Sequence, residues 1–341
     1  MAAKLIRRLA AALTALALTS GFAFAQMPKV TLAIGGASCL CYLPTMLAHQ
    51  LGAFKKAGVD VEIVQFKGGS QSLKAVLGGS ADVVSGYFDH CVELAPKGQN
   101  LQSFVVYDRF PGFALVVSPK HTNEIKAVKD LANKKVGVSA PGSSTDFFLK
   151  YILHKFGIDP NSVGVIGVGL GGTAIAAMEQ GQIDAAIMLD PAVTVLAGKY
   201  SDLRILSDTR TQKDTLAVFG GEYPGGALYT KADWIAAHPK EAQAMTDAII
   251  ATLKWIREHS AEEITAKMPP EWTKNKALYI AALKNTMPMY SKTGLMDPKG
   301  AQAVLNVFSQ SSPAIAKAHI DLSKTYTNKF VEQANKKMGM K

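Results

Sequence analysis

The chain has 341 residues and a formal net charge of +10, from 37 Lys and Arg against 27 Asp and Glu, with the cations spread rather than blocked. A nucleic-acid surface needs clustered cations, and a disulfide scaffold needs more than the three cysteines present; neither class is expected. The length suits two compact lobes or one large domain.

The N-terminus carries Lys4, Arg7 and Arg8, then a mostly apolar run over 9–24 ending in Ala23-Phe24-Ala25. A basic start, a short apolar core and a small-x-small site predict a cleavable secretory signal over residues 1–25. The run is shorter than the roughly 18–20 apolar residues a membrane span needs, and no cysteine follows to take a lipid. Loss of the three cations would leave a net charge of +7. An exported chain is expected, in a compartment where a disulfide can persist.

From residue 30 onward, short apolar runs alternate with helical patterns. Candidate strands span 30–34, 59–65, 82–85, 103–107, 114–118, 135–138, 163–168, 185–189 and 203–206, with helical patterns such as 43–53 and 147–156 between them. This alternation predicts an α/β fold with mostly parallel sheets. Beyond about residue 231 the pattern turns helical. His238-Pro239 opens a run with Met245, Ile249, Leu253 and Ile256 at helical spacing, and Pro269-Pro270 closes that region. Trp234, Trp255 and Trp272 fall in this part and read as packing residues.

An internal duplication runs through the first part. The segment "GGSQSLKAVLGGSADVV" (68–84) matches "LGGTAIAAMEQGQIDAA" (170–186) at a constant shift, pairing Gly69 with Gly171, Leu73 with Ile175, Gly79 with Gly181 and Asp82 with Asp184. Upstream, Ser38 pairs with Ser143, His49 with His154 and Gly52 with Gly157. Two similar α/β lobes enclose a cleft, and loops at the carboxyl ends of parallel strands are where ligands sit. One such loop is "GGASCLCYLP" (35–44); its counterpart is "SAPGSSTD" (139–146), where Ser143 and Asp146 have capping-box spacing. Exposed N–H groups at helix starts suit an anionic or strongly accepting ligand.

Gly167, Gly169 and Gly172 formally fit G-x-G-x-x-G, with Asp190 further on. Alone, this pattern is better read as a glycine-rich turn that lets backbone approach a small ligand than as a dinucleotide site. The segment "GYFDHC" (86–91) follows the third strand, which a 2-1-3 strand order places beside the first. Cys91 could then reach Cys39 or Cys41 as a disulfide. Reduced packing cysteines are the alternative. A zinc site of Cys39, Cys41, His90 and Cys91 has the wrong spacing. A catalytic cysteine with His90 as base is the last option; in an extended segment Asp89 would point away from His90.

The run from "YLP" through "LAHQLGAFKKAGVDVEIVQFKGGSQSLKAVLGGSADVVSG", with "GYFDH…APKG", "RFPGFALVVSPKH…IKAVKDLANKKVGVSAPGSS" and "AAIMLDP", resembles the periplasmic substrate-binding proteins of nitrate/sulfonate/taurine-type ABC importers. The resemblance covers about residues 30–228. It implies a two-lobed type II periplasmic binding fold, with lobe 1 over 27–115 plus 226–341, lobe 2 over 116–225, and hinge crossovers near 113–120 and 220–230. It implies ligand contacts from Ser38, Cys39 and Tyr42; Gly69, Ser70 and Gln71; Tyr87, with Asp89 and His90 behind it; Ser143, Ser144 and Thr145; Gly172 and Thr173; and Asp190. Arg109 would pair an anion or brace the hinge.

The implied role is capture of a small organic solute, a sulfonate or carboxylate first and an aminopyrimidine as the alternative. Delivery would be to a membrane permease and its ATPase, by a monomer without cofactor or metal. Enzymes on this fold are the other class. Aromatic sulfinate desulfinases use a first-loop cysteine and an Arg-x-Gly-Gly element absent here, and pyrimidine synthases carry a denser cysteine cluster than Cys39-Leu40-Cys41. On that comparison the cysteines belong to the ligand loop, one bridged to Cys91, and are not nucleophiles.

Overall fold

The computed structural model describes residues 27–340, so the expected signal over 1–25 lies outside the described residues. Five strands build the first sheet: β1 (Lys29–Ile34), β2 (Asp60–Gln65), β3 (Val83–Tyr87), β4 (Leu101–Val106) and, much later in the chain, β10 (Gly226–Lys231). The second sheet holds β5 (Ala114–Val117), β6 (Lys135–Val138), β7 (Gly164–Gly167), β8 (Ala185–Met188) and β9 (Ile205–Asp208). The strand orders are β2-β1-β3-β10-β4 and β7-β6-β8-β5-β9. Each sheet is parallel except for one strand, β10 in the first and β5 in the second. In both cases it is the strand that arrives from the other sheet. The chain crosses between β4 and β5 and returns before β10.

Helices between the strands are α1 (Leu43–Gln50), α2 (Ala53–Ala57), α3 (Gly69–Leu77), α4 (Asp89–Leu94), α5 (Ser144–Lys155), α6 (Gly172–Glu179), α7 (Ala192–Lys199) and α8 (Gln212–Phe219). After β10 come α9 (Ala232–Ala237), α10 (Pro239–Glu258), α11 (Ala261–Thr265), α12 (Lys276–Thr286), α13 (Pro298–Ser311), α14 (Pro313–Lys317) and α15 (Lys329–Met338). In α10, Pro239 opens the helix, Glu241 sits in its first turn and Arg257 in its last, complementing the dipole. Met245, Ile249, Leu253 and Ile256 all lie on its buried face, which packs on α1 and α2. Helix α12 packs on α7, and α13 packs on both α4 and α5, so the C-terminal helices touch both sheets. Trp234, Trp255 and Trp272 pack, half-buried, against the core. Among the described residues no helix is long and apolar enough to cross a membrane.

Three expectations need correction. The segment 225–230, read as linker, is mostly the strand β10, which pairs with β3 and β4; its glycines hide a strand that only neighbours on both sides complete. The single helix expected over 43–53 is two helices, α1 and α2, because Gly52 turns left-handed between them. Residues 89–91, expected within a loop over 86–91, open helix α4.

Candidate functional site

The loops that follow β1 and β2 meet those that follow β6 and β7. At the crossing, a Cβ on Gly68 would lie 2.8 Å from the Ala140 side chain and 3.1 Å from its backbone nitrogen. Only glycine lets the two main chains approach this far. The starts of α3 and α5 then interlock. The Ser70 N–H donates to Ser143 Oγ at 2.9 Å, Ser143 Oγ donates to Ser70 Oγ at 3.2 Å, and Ser70 Oγ donates to the Pro141 carbonyl at 3.0 Å. The capping box expected from Ser143 and Asp146 is therefore not formed. Ser143 spends its hydroxyl on the other lobe, and Asp146 instead accepts from the Gly142 N–H and from Lys150. A further backbone bond ties the lobes, from Leu40 N–H to the Asp190 carbonyl at 2.9 Å.

Beside this seam the lobes enclose a small space of about 20 Å³, room for roughly one water molecule. Tyr42, Tyr87 and Phe113 form its aromatic wall, with Tyr87 and Phe113 stacked at 5.2 Å. Ser143, Ser144 and Thr145, together with Gly69, supply the polar side. At the helix starts the Ser70 amide is already spent on Ser143 Oγ, and the Gln71 and Asp146 amides bond the Gly68 and Ser143 carbonyls. No Arg or Lys lines the space.

Behind it lie two buried ionisable groups. Asp89 accepts from Ser144 Oγ of the other lobe at 2.7 Å and from Tyr223 of the return crossover at 3.1 Å. Burial raises its carboxyl to about 7, against the lowering effect of those two hydroxyls. His90 shares a 2.8 Å hydrogen bond between Nδ1 and the Tyr229 hydroxyl. Its Nε2 has no hydrogen-bond partner in the protein, although the Gly142 backbone is near enough to favour the charged ring. Burial outweighs this and lowers the imidazole to about 4. The closed site thus holds a protonatable acid and a neutral imidazole, both shielded from water.

The remaining expected contacts are dispersed. Ser38, Gln71 and Thr173 line a wider outer mouth of about 580 Å³. Gly172 opens α6, with open space where a side chain would stand. Asp190 lies at a separate crevice of about 10 Å³ that Arg210 also lines. Its Oδ1 accepts from the Thr194 N–H and hydroxyl at the start of α7, and its Oδ2 is 3.6 Å from Arg210. Arg109 does not face the inner space: its guanidinium reaches Gln212 and the Pro288 carbonyl, which joins the crossover to α8 and to the turn after α12.

The expected bridge to Cys91 is also corrected. Cys39 and Cys41 are bonded to each other, and Cys91 is a free, buried thiol. Cys91 sits two residues after Asp89 in α4, about 200° round the helix. When Asp89 faces the cleft, Cys91 faces a groove at the back, shared with Leu101 and His319. Burial raises its thiol well above the ordinary range, which suits an inert packing residue. Among the described residues no group of three or more His, Cys, Asp or Glu is placed to hold a metal ion.

Several site residues escape a reading of motifs. Asp108, fully buried at the outward crossover, accepts from the Gly226 N–H at 3.2 Å, and burial raises its carboxyl well above the usual range. Tyr290, from the C-terminal part, donates to the Leu40 carbonyl at 2.8 Å. Tyr223 and Tyr229 reach Asp89 and His90 across more than a hundred residues of sequence. The one legible signal was an aromatic, Tyr223, inside the glycine- and proline-rich "GGEYPGG" (220–226).

Two mixed sheets joined by two crossovers, with helix starts converging on a closed space between them, define a type II periplasmic binding fold. A structure of the alkanesulfonate-binding protein SsuA from Xanthomonas axonopodis pv. citri has this fold, with a TM-score of 0.69 at 16% identity over 88% of this chain and 98% of that one. A solved structure from Bordetella bronchiseptica RB50 matches with a TM-score of 0.88 and 40% identity, covering 91% of this chain and 98% of the other. The model of the family described as NMT1/THI5 like matches residues 42–263. The chain belongs to that family. The nitrate/nitrite binding protein NrtA of Nostoc sp. is 24% identical over 247 residues, which cover 66% of this chain but only 53% of that relative's length. The 4-amino-5-hydroxymethyl-2-methylpyrimidine phosphate synthase of Schizosaccharomyces pombe is 25% identical over 237 residues, 67% of this chain and 66% of that one.

Proposed function

We propose that this protein is the exported solute-binding component of an ABC importer. It captures a small organic solute between its lobes and hands it to a membrane permease driven by a separate ATPase, without chemistry on the solute. The observation that carries this reading is the seam of direct hydrogen bonds between the two helix starts, Ser70 with Ser143 and Asp89 with Ser144, beside an aromatic-walled space. Such a seam closes over a ligand and reopens at the crossovers. In its closed form the space is smaller than an organic ring, so a bound solute would hold the lobes further apart than they stand here.

For the solute itself, the geometry favours an uncharged or amine-bearing planar ring, of the aminopyrimidine kind, over a sulfonate or carboxylate. Arg109 is turned outward and no cation lines the inner space, while the buried carboxyl of Asp89 stands behind it through Ser144, so a bound anion would lack a compensating charge in a low-dielectric site. Tyr42 and Tyr87 offer ring faces and Asp89 an acceptor for N–H donors. The resemblance to a pyrimidine phosphate synthase raises an enzyme as the second reading. Against it, the first-loop sulfurs are joined and Cys91, the free thiol, lines the groove at the back and not the inner space.

A thermal-shift panel on protein stripped of carried-over ligand tests the reading. It should hold aminopyrimidines, alkane- and arylsulfonates, carboxylates and nitrate. A ligand at 100 times its dissociation constant stabilises by about 2.7 kcal/mol. Stabilisation by aminopyrimidines alone is expected. Stabilisation by sulfonates alone would overturn the solute class, and turnover of any panel member would overturn the binding-protein reading.

A further inference from the structure

The inner space and the outer mouth share one side chain, Leu170, which lines both. It lies on the loop between β7 and α6, flanked by Gly169 and Gly171, both with positive φ. Its side chain reaches across to the other lobe and packs on Gly36: a Cβ there would sit 3.2 Å from both Cβ and Cδ1 of Leu170. Gly36 itself has φ +113, so the surface that Leu170 rests on is bare backbone. The loop's main chain is pinned by the bonds from Val168 N–H to the Val138 carbonyl and from Gly169 N–H to the Ser139 carbonyl. A fixed loop therefore presents one apolar side chain across the passage between about 20 Å³ inside and about 580 Å³ outside.

The duplication adds an independent argument. At the repeat shift, Leu170 corresponds to Gly68, and the following residues Gly171 and Gly172 to Gly69 and Ser70. The turn is built in lobe 1 with no side chain at that place, so the motif itself does not require a leucine. In lobe 2 the leucine is extra, and it stands where it borders both cavities.

On the reading that solute binds in the inner space, we infer that Leu170 is the residue that limits solute length. It seals the chamber against the mouth and excludes solutes with a tail that would have to pass between the lobes toward Ser38 and Gln71. Replacing it with alanine joins the two spaces, and phenylalanine narrows the passage further.

Two measurements test this on the purified protein with its disulfide formed. The first uses 4-aminopyrimidines and alkanesulfonates, each graded by alkyl chains of one to five carbons. Wild-type affinity in whichever series binds should fall about tenfold or more with chain length, and Leu170→Ala should remove most of that penalty while leaving the shortest member within about threefold. An unchanged length profile overturns the inference. The second needs no solute. Cys41 lines the inner space and also the crevice beside Asp190 and Asn285, so the rate at which a bulky phosphine reduces the Cys39–Cys41 bond in an Asn285→Trp background, which fills that crevice, reports entry from the mouth. Leu170→Ala should speed it about tenfold and Leu170→Phe should slow it; equal rates in all three overturn the gate. If reduction responds as expected while neither graded series binds, the gate stands and the proposed solute class fails.

Discussion

Asp89 and Asp190 stand at equivalent places in the two lobes, each just past the third strand of its repeat and near the start of a helix. Their surroundings differ in kind. Asp190 caps α7 through Thr194 and has the Arg210 guanidinium 3.6 Å away, so its charge is balanced within its own lobe. Asp89 meets no cation: its side-chain partners are two hydroxyls, and one of them belongs to the other lobe. The first carboxylate is a local staple. The second is a contact between the lobes, so two carboxylates that each follow a strand end by two residues hold partners of different kinds.

The sharpest break in this comparison is Asp190→Ala. It removes a helix cap and one of the two carboxylates around a partly buried Arg210, and should cost about 2–4 kcal/mol in chemical unfolding. Asp89→Ala has no such cap to lose, and a cost as large as that of Asp190→Ala would erase the distinction.

The next effect is one of pH. Folding raises Asp89 to about 7 and lowers His90 to about 4. The raised acid favours the folded state below about pH 4, and that contribution is lost as pH climbs to 7. The lowered imidazole acts in the opposite sense, contributing above about pH 6.5 and losing that contribution as pH falls to 4. Between pH 4 and 6.5 the two largely cancel, so wild-type stability should be nearly flat there on their account. Asp89→Asn should leave a stability that rises with pH, and His90→Gln one that falls, each by up to about 1.4 kcal/mol per pH unit. Urea unfolding at half-unit pH steps would measure both slopes, and identical slopes in the two variants would refute the assignment.

The smallest expected effect is that of Ser144→Ala, which deletes one hydroxyl between the lobes. It should loosen the solute-free closed form by about 1 kcal/mol through the lost bond to Asp89, read by hydrogen exchange at the seam. Unfolding of either lobe should be nearly unaffected.

Most of the scaffold was legible because its signals are local. Apolar runs at strand length, helical spacing in Met245, Ile249, Leu253 and Ile256, and the repeated Gly-Gly turns all report on the residues that carry them. The strand β10 was not legible, since its glycine-rich start reads as linker until β3 and β4 stand on either side. The site divided along the same line. Tyr42, Tyr87, Ser143, Ser144 and Thr145 could be placed at strand ends and helix starts, whereas Asp108, Tyr223, Tyr229 and Tyr290 carry no motif and arrive from distant segments.

By itself, the sequence determined that this chain would form two repeated α/β halves with glycine turns and helix starts aimed at a common cleft. Periodicity and turn chemistry need no partner to be read. Only the tertiary structure decided which cysteines pair, whether Ser143 caps its own helix or crosses to the other lobe, and which way Arg109 turns. It also decided which of the two aspartates meets a guanidinium. Each of these rests on groups that a distant part of the chain brings to within about 3 Å, the range over which hydrogen bonds and desolvation act.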